Sequence, residues 1–279
     1  MMSDVLVAGL TFPEAPRWRD GKLWFSDFYS HRVLTVDLAG RLETVVEVPQ
    51  RPSGLGWRPD GTLLVVSMLD RRLLRVEHGK THVVADLSAL ASGPCNDMVV
   101  DTAGRAYVGN FGFDRHHGEP ERMTCLARVD ADGRVTRVAD DLHFPNGAVI
   151  TPDGGTLIVA ETLAHRLTAF DVAADGTLAN RRVHAALGDC FPDGICLDAE
   201  GAVWVADARR NRVVRVRADG TVDRTLVTGQ NGAYACMLGG PDRRTLFVLT
   251  NTGSGPAMAE KTDGRIETYR VDVPGAGLP

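Results

Sequence analysis

Six times along this chain a short apolar or aromatic run follows a glycine- or aspartate-centred turn, and that recurrence limits the fold more than any other property. The runs are residues 23–27, 63–67, 106–110, 157–161, 203–207 and 246–250. A second run follows each of them, at 33–36, 73–76, 126–129, 167–170, 213–216 and 266–269. After most of these comes a turn such as Asp132-Gly133 or Asp219-Gly220, then a third extended stretch such as 136–139. Short β-branched runs bounded by Gly, Asp and Asn read as strands joined by hairpins. Helical periodicity is weak throughout, and 87–91 holds the single candidate helical turn. A repeat of roughly 40–50 residues is the period at which several strands make one blade and blades close a ring. A solenoid would need polar capping repeats at its ends. Here the last repeat lacks a strand after Val273, while residues 4–10 form an orphan strand at the start. Closure by that N-terminal strand accounts for both, so the prediction is an all-β, six-bladed β-propeller in a single domain, residues 1–279.

Equivalent positions in a closed ring of blades face one another around its axis, so the repeat phase locates a candidate site. About eight residues before each inter-strand turn stand Ser53, Asn96, Asn146, Asp193 and Ala235, with Glu14 at a matching place in the first repeat. The segment entering the innermost strand lines the channel mouth. Four of these six side chains are carboxylates or carboxamides, and they sit in tight frames: Pro13-Glu14-Ala15-Pro16, Cys95-Asn96-Asp97, Pro145-Asn146-Gly147 and Pro192-Asp193-Gly194. Proline fixes φ before the polar residue, and glycine after it permits an unusual φ. Any one such tripeptide alone is a common turn. Turns at 58–61 and 151–155 fall at a different phase, between strands, and read as structural.

Converging carboxylates and amides repel unless a cation sits among them. Oxygen donors without His or Cys select a hard ion: one divalent cation, Ca²⁺ first, with Mn²⁺, Mg²⁺ or Zn²⁺ as alternatives. An open coordination site of this kind suits a hydrolase in which the ion polarises an ester carbonyl and activates water. Asp193 and Glu14 are the candidates to take the proton. No GxSxG, HExxH, GxxxxGK[ST] or complete GxGxxG is present. His116 and His117 lie in an insertion, 113–122, read first as an exposed loop and second as a lid over the channel. Cys190 and Cys196 read as packing thiols, and Trp18, Trp24, Trp57 and Trp204 as inter-blade core.

The net charge of −5 comes with no Lys/Arg run able to track phosphates, so no nucleic-acid partner is expected. No apolar stretch approaches the roughly 20 residues a membrane helix needs, and residues 1–10 lack the features of a secretory leader. The five cysteines are odd in number and form no CxxC pair, which suits reduced thiols in a cytoplasmic protein.

The segments Phe12-Pro13-Glu14-Ala15-Pro16-Arg17-Trp18, Asn96 to Asp101, Phe144-Pro145-Asn146-Gly147, Phe191-Pro192-Asp193-Gly194 and Cys236 to Asp242, in this order and spacing, resemble the SMP-30/gluconolactonase/LRE family. The resemblance implies a six-bladed propeller with one axial divalent metal held by Glu14, Asn146 and Asp193. It makes Asp193 the favoured general base. Asn96 becomes a contact to metal or substrate, and Asp97 a further contact on the substrate side, also readable as a second metal or structural contact. Sugar lactonases of the family typically carry Arg two residues before the Asn of the third loop, where this chain has Pro94. Residues 96–112 resemble the branch with the staphylococcal drug-responsive lactonase, which implies a lactone less polar than an aldonolactone. The leading expectation is thus a metal-dependent lactonase acting on a small lactone or ester. Its rivals are other metal chemistry on the same scaffold (phosphotriester hydrolysis, isomerisation or a lyase step) and a non-catalytic calcium- or protein-binding propeller.

Overall fold

The computed structural model describes residues 3–277; Met1, Met2, Leu278 and Pro279, at the ends of the expected 1–279 domain, lie outside the described residues. Among the described residues, twenty-four strands form six four-stranded antiparallel sheets, the predicted six blades. In the first, Pro13–Arg19, Lys22–Asp27, Arg32–Val36 and Leu42–Glu47 succeed one another from the axis outward. The innermost strands of the next five are Pro52–Trp57, Cys95–Val100, Pro145–Ile150, Pro192–Leu197 and Gly232–Gly239.

The sixth sheet has only three strands from the C-terminal end, Gly232–Gly239, Thr245–Asn251 and Gly264–Arg270. Its outermost strand is Asp4–Leu10, antiparallel to Gly264–Arg270 with Asp4 opposite Thr268 and Leu10 opposite Gly264. The orphan N-terminal strand thereby satisfies the edge that the last blade leaves open. Asn251 Nδ2 adds a hydrogen bond to the Thr11 carbonyl at 2.7 Å. The C-terminal tail crosses onto the fifth blade through Ala199 N to Pro274 O, 2.8 Å, and Ala276 N to Leu197 O, 3.0 Å.

The second strand of each blade is covered by neighbours on both faces, so it reads as an unbroken apolar run rather than an alternating one. Leu63–Ser67, Ala106–Asn110 and Val203–Asp207 are buried at every position. The core is accordingly a series of layers between blades. Val33, Val46, Leu55 and Val65 join the first two, and Val99, Tyr107, Ile150 and Leu157 join the third and fourth. Each such side chain contributes roughly 1.5–3 kcal/mol by leaving water. The tryptophans work between blades as expected: Trp18 stacks on Phe247 at 5.3 Å, and Trp24 meets Trp57 edge-on at 5.3 Å. Trp204 is fully enclosed. Residues 87–91 make one isolated helical turn, closed by Ala91 N to Leu87 O. Short 3₁₀ turns at Arg115–His117, Thr162–Ala164 and Pro256–Glu260 were not expected from the sequence.

The glycines after the axial polar residues correct the sequence reading. Neither Gly147 nor Gly194 has a left-handed φ. They are glycine because adjacent innermost strands crowd at the axis: a Cβ on Gly147 would lie 2.6 Å from Ile195 N, and one on Gly194 2.6 Å from Ala235 Cβ. Gly54 meets Met98 N at 2.5 Å in the same way. The left-handed residue is Ala15, with φ +48°. Gly147→Ala is therefore expected to destabilise the protein by about 1–3 kcal/mol through overpacking, read as a lower denaturant midpoint with unchanged slope.

Candidate active site

Each innermost strand begins at the channel with a residue paired to the end of the second strand: Pro13 with Asp27, Pro52 with Ser67, Cys95 with Asn110, Pro145 with Glu161, Pro192 with Asp207, Gly232 with Asn251. The following residues are Glu14, Ser53, Asn96, Asn146, Asp193 and Ala233. Five of these match the sequence phase; the sixth corrects it. The innermost strand of the sixth blade, Gly232–Gly239, has eight residues where those of blades two to five have six, so the same count back from the turn stops two residues short, at the predicted Ala235.

The second-strand ends form a further polar ring that the sequence reading treated only as strand ends. Asp27 Oδ1 accepts from Phe12 N at 2.7 Å and Thr11 Oγ1 at 2.7 Å. Asp207 Oδ1 accepts from Phe191 N at 3.0 Å, and Glu161 Oε2 from His143 N at 2.8 Å. Buried side chains thus tie the loops that deliver Glu14, Asn146 and Asp193 to their own blades. A buried acceptor of this kind costs little only when its donors are fixed, so it rigidifies the loop.

Glu14, Asn96, Asn146 and Asp193 share the floor of a cavity of roughly 170 Å³ at the axis. Ser53 and Ala233 are fully enclosed and do not line it. Asn96 Nδ2 donates to Pro145 O at 3.4 Å and Asn146 Nδ2 to Thr162 Oγ1 at 3.2 Å. With both amide nitrogens engaged by protein, the carboxamide oxygens are the atoms left for the cavity. Thr162 Oγ1 donates in turn to Pro192 O at 2.7 Å, so one hydroxyl links the Asn146 amide to the segment that carries Asp193.

The two floor carboxylates are held far from their ordinary protonation range. Burial, and next the Asp193 charge, push the Glu14 carboxyl well upward, against the Ala15 N–H that Glu14 Oε2 accepts at 3.0 Å. Burial also raises Asp193, opposed by Arg115 and by Asn146 beside it. Two buried carboxylates that each disfavour ionisation gain most from a cation between them. Among the described residues no three His, Cys, Asp or Glu side chains converge to hold a metal. The floor offers two carboxylates and two carboxamide oxygens, a donor set that fits one hard divalent ion completed by water or substrate.

Asp97 is placed elsewhere. It is buried but absent from the cavity lining, and its Oδ1 accepts from Arg17 Nη2 at 2.8 Å and Met98 N at 2.8 Å. Arg17 also donates to Met98 O at 2.6 Å and Pro16 O at 2.8 Å. The pair ties the innermost strand of the first blade to that of the third, outside the cavity lining.

The walls are aromatic: Phe12, Phe28, Phe111, Phe113, Phe144 and Tyr234 form one buried cluster with Met68 and Met258. Phe111 and Phe144 stack at 4.5 Å, and Phe12 packs against Tyr234 at 4.7 Å. Tyr234, missed in the sequence, stands in the sixth blade where the fourth and fifth have glycine. Burial, then the charge of Asp193, moves its phenol up to about 12, so it stays a hydrogen-bond donor. The 113–122 insertion is exposed on its outer side, as expected, yet Phe113, Arg115, His116 and Glu121 line the cavity mouth. The exposed-loop reading is incomplete, since the segment also forms one flank of the pocket. The five cysteines are free and buried, and no helix among the described residues is long and apolar enough to cross a membrane.

Residues 12–252 match the sequence profile of the SMP-30/gluconolactonase/LRE-like region. Pentonolactonase XacC of Haloferax volcanii is 30% identical over 280 residues, spanning 95% of this chain and 92% of that protein. The 6-deoxy-6-sulfogluconolactonase of Pseudomonas putida is 27% identical, over 95% and 93%. The crystal structure of a calcium-binding protein, regucalcin, from Agrobacterium tumefaciens superposes with a TM-score of 0.83 at 24% identity, covering 98% of this chain and 95% of that one, a likeness of fold.

Proposed function

Because the chain belongs to the SMP-30/gluconolactonase/LRE-like family, we propose that it is a lactonase that opens a small cyclic ester with the help of one divalent cation, Ca²⁺ before Mn²⁺, Mg²⁺ or Zn²⁺. The observation that carries this reading is the convergence of Glu14, Asn96, Asn146 and Asp193, from four different blades, on one aromatic-walled pocket. Two relatives that run nearly the whole length are named lactonases, which supports the reaction class.

In this proposal Glu14, Asn146 and Asp193 hold the ion, and Asn96 contacts the substrate. A bound cation of this type polarises the ester carbonyl and lowers the pKa of water. Asp193 is the group to accept the proton from the attacking water. Asn146 and Arg115 both favour its ionised form, as the Ala15 N–H and Arg17 favour that of Glu14, and the family resemblance is what favours Asp193 as the base. Tyr234, protonated at neutral pH, has a proton to share with oxygen at the pocket floor. Water adds to the carbonyl carbon, the ring C–O bond breaks, and the products are one carboxylate and one hydroxyl. The aromatic collar keeps bulk water away and receives the carbon skeleton, which supports a lactone ring carrying fewer hydroxyls than a sugar lactone.

The decisive experiment is turnover of a lactone panel, sugar and non-sugar, by chelated protein before and after addition of Ca²⁺, Mn²⁺, Mg²⁺ or Zn²⁺. Metal-restored hydrolysis with preference for the non-sugar members is expected. Stoichiometric metal binding without turnover of any lactone would move the assignment to a different reaction or a calcium-binding role.

A further inference from the structure

Three arginines at the pocket mouth have no ion-pair partner among the described residues, although Arg115 acts at longer range on Asp193 and Asp114 on Arg51. Neighbouring arginines are paired: Arg122 with Glu119 at 2.7 Å, Arg212 with Asp189 at 2.7 Å and with Asp207 at 2.9 Å. Arg51, Arg115 and Arg209 line the mouth, and none has a carboxylate within salt-bridge distance among the described residues. Arg51 Nε is in addition buried with no hydrogen-bond partner. Aromatic faces carry these guanidinium groups: Arg51 lies 4.5 Å over Tyr29, Arg115 5.9 Å over Phe144 and Arg209 4.4 Å over Phe191. That leaves their N–H edges free, since a stacked guanidinium donates only in its own plane.

Arg51 is held there by its backbone. Its φ is +71°, a left-handed conformation that costs a non-glycine residue energy. The strain is fixed by Arg51 N to Val48 O at 2.9 Å and Met68 N to Arg51 O at 2.8 Å. Arg51 and Arg115 share one flank: both charges act on the Tyr29 phenol and on His116. Burial first, then these two charges, hold His116 below its ordinary value, so it adds no charge near pH 7. The acids nearby are otherwise engaged. Asp114 takes His117 Nδ1 at 2.7 Å and the backbone N–H of His116 at 3.1 Å, and Glu121 lies 3.7 Å from His143 Nε2. Among charged lining groups, the three arginines balance Glu14, Asp193 and Glu121. A divalent cation on the floor therefore leaves the pocket with a net charge of about +2, concentrated at the mouth.

We propose that Arg51 and Arg115 form an anion subsite, so that the substrate is a lactone with a carboxylate, sulfonate or phosphate substituent remote from the ester carbonyl. The inference rests on the lactonase reading for the word lactone, and on the arginines alone for the word anionic. A fixed bidentate donor reads a planar or tetrahedral oxyanion far better than a hydroxyl, and the aromatic wall between mouth and floor accommodates the apolar part of the same molecule. The charged end thus sets which end of the substrate meets the floor.

The test compares benzenesulfonate with its uncharged isostere benzenesulfonamide by calorimetry on the metal-loaded protein, in the wild type, Arg115→Gln and Arg51→Met/Arg115→Gln. Wild type should bind the sulfonate about 10- to 100-fold more tightly, and the double variant should lose that preference. Should Arg51→Met compromise folding, Arg115→Gln on the exposed segment gives a partial loss, and Arg51→Lys/Arg115→Lys restores part of it. In parallel, kcat/KM is measured for a matched pair of lactones with and without a carboxylate side chain; the ratio should fall at least tenfold in the double variant. Equal affinity of the wild type for both sulfur compounds, or a preference that survives in the double variant, overturns the subsite. Sulfonate preference without turnover of any lactone leaves the subsite standing and overturns the lactonase assignment; turnover without charge preference does the reverse.

Discussion

Replacing Asp193 with Asn is expected to lower lactone kcat/KM by about 10³-fold or more while raising the stability of the metal-free protein. The two effects have one cause. Asp193 and Glu14 face one cavity, and desolvation, joined by the Asp193 charge at Glu14 and by the Asp97 and Asp207 charges at Asp193, holds their carboxyl groups above the ordinary range. For an acid whose folded pKa lies above its unfolded one, the unfolded chain releases its proton first as pH rises. Fewer protons bound in the unfolded state means stability falls with pH, by about 1.4 kcal/mol per pH unit for each retained proton. The metal-free wild type should therefore lose stability steadily above the unfolded carboxylate range, near pH 4, and the slope should flatten once both groups have ionised. Asparagine keeps the shape and removes the charge, so Asp193→Asn should show a shallower decline and a midpoint at or above wild type at pH 7. Saturating cation should reverse the order, because only the wild type gains fully from binding it. The activity loss combines a missing metal ligand with a missing base, the latter alone typically worth 10²–10⁴. Asp193→Ala should likewise lose metal binding and turnover with the β-sheet circular dichroism intact, since the blades pack without reference to the floor. An Asp193→Asn protein that melts lower than wild type without metal would show Asp193 to be a structural hydrogen-bond acceptor and not a destabilised ligand.

The parts of this fold that could be read from the sequence are those where one physical constraint repeats. Second strands are sandwiched between blades, so all six appear as dense apolar runs, and six such runs with an orphan strand at the start already imply a closed ring. The axial ring was legible for a related reason: equivalent residues enter the channel at one phase, and Glu14, Asn96, Asn146 and Asp193 meet on the floor as that phase requires. The phase failed once, at the sixth blade, because its innermost strand is two residues longer than those of blades two to five; a lengthened hairpin leaves no mark on composition. Gly147 and Gly194 were legible as special but not for the right reason. Their neighbours are on other blades, and a turn-based argument sees only the chain itself. Arg115 was hidden by the polarity of its loop: an exposed, charged insertion looks the same in sequence whether or not its inner edge faces a cavity. Tyr234 carried no signal beyond its phase, which the longer strand of the sixth blade obscured.

The same limit hid the pair that should matter most to stability. Arg17 and Asp97 are separated by 80 residues in the chain and meet across the channel at 2.8 Å, both almost fully buried. Breaking one side of a buried pair leaves the other charge without compensation, which typically costs 3–5 kcal/mol. Arg17→Met is thus expected to lower stability by about 3–5 kcal/mol, among the largest single-residue effects in the protein. The methionine fills much of the volume, so the loss comes from Asp97 and the carbonyls of Met98 and Pro16, which lose their donor, and not from a cavity. Removing the stranded charge as well should recover a large part: Arg17→Met/Asp97→Asn is expected to be more stable than Arg17→Met alone, a double-mutant cycle with clear coupling. The floor gives a second readout. Asp97 already adds to the repulsion felt by Glu14 and Asp193, and Arg17 is what offsets it. In Arg17→Met the unpaired Asp97 charge should make the protein depend more on bound cation, so the gap in unfolding midpoint between metal-loaded and chelated samples should widen relative to wild type. A substrate contact at Asp97 predicts a different pattern: a raised KM on Asp97→Asn with stability near wild type. Denaturant midpoints of the four proteins in the cycle, each with and without metal, separate the two, and a near-wild-type midpoint for Arg17→Met would return Asp97 to the substrate side.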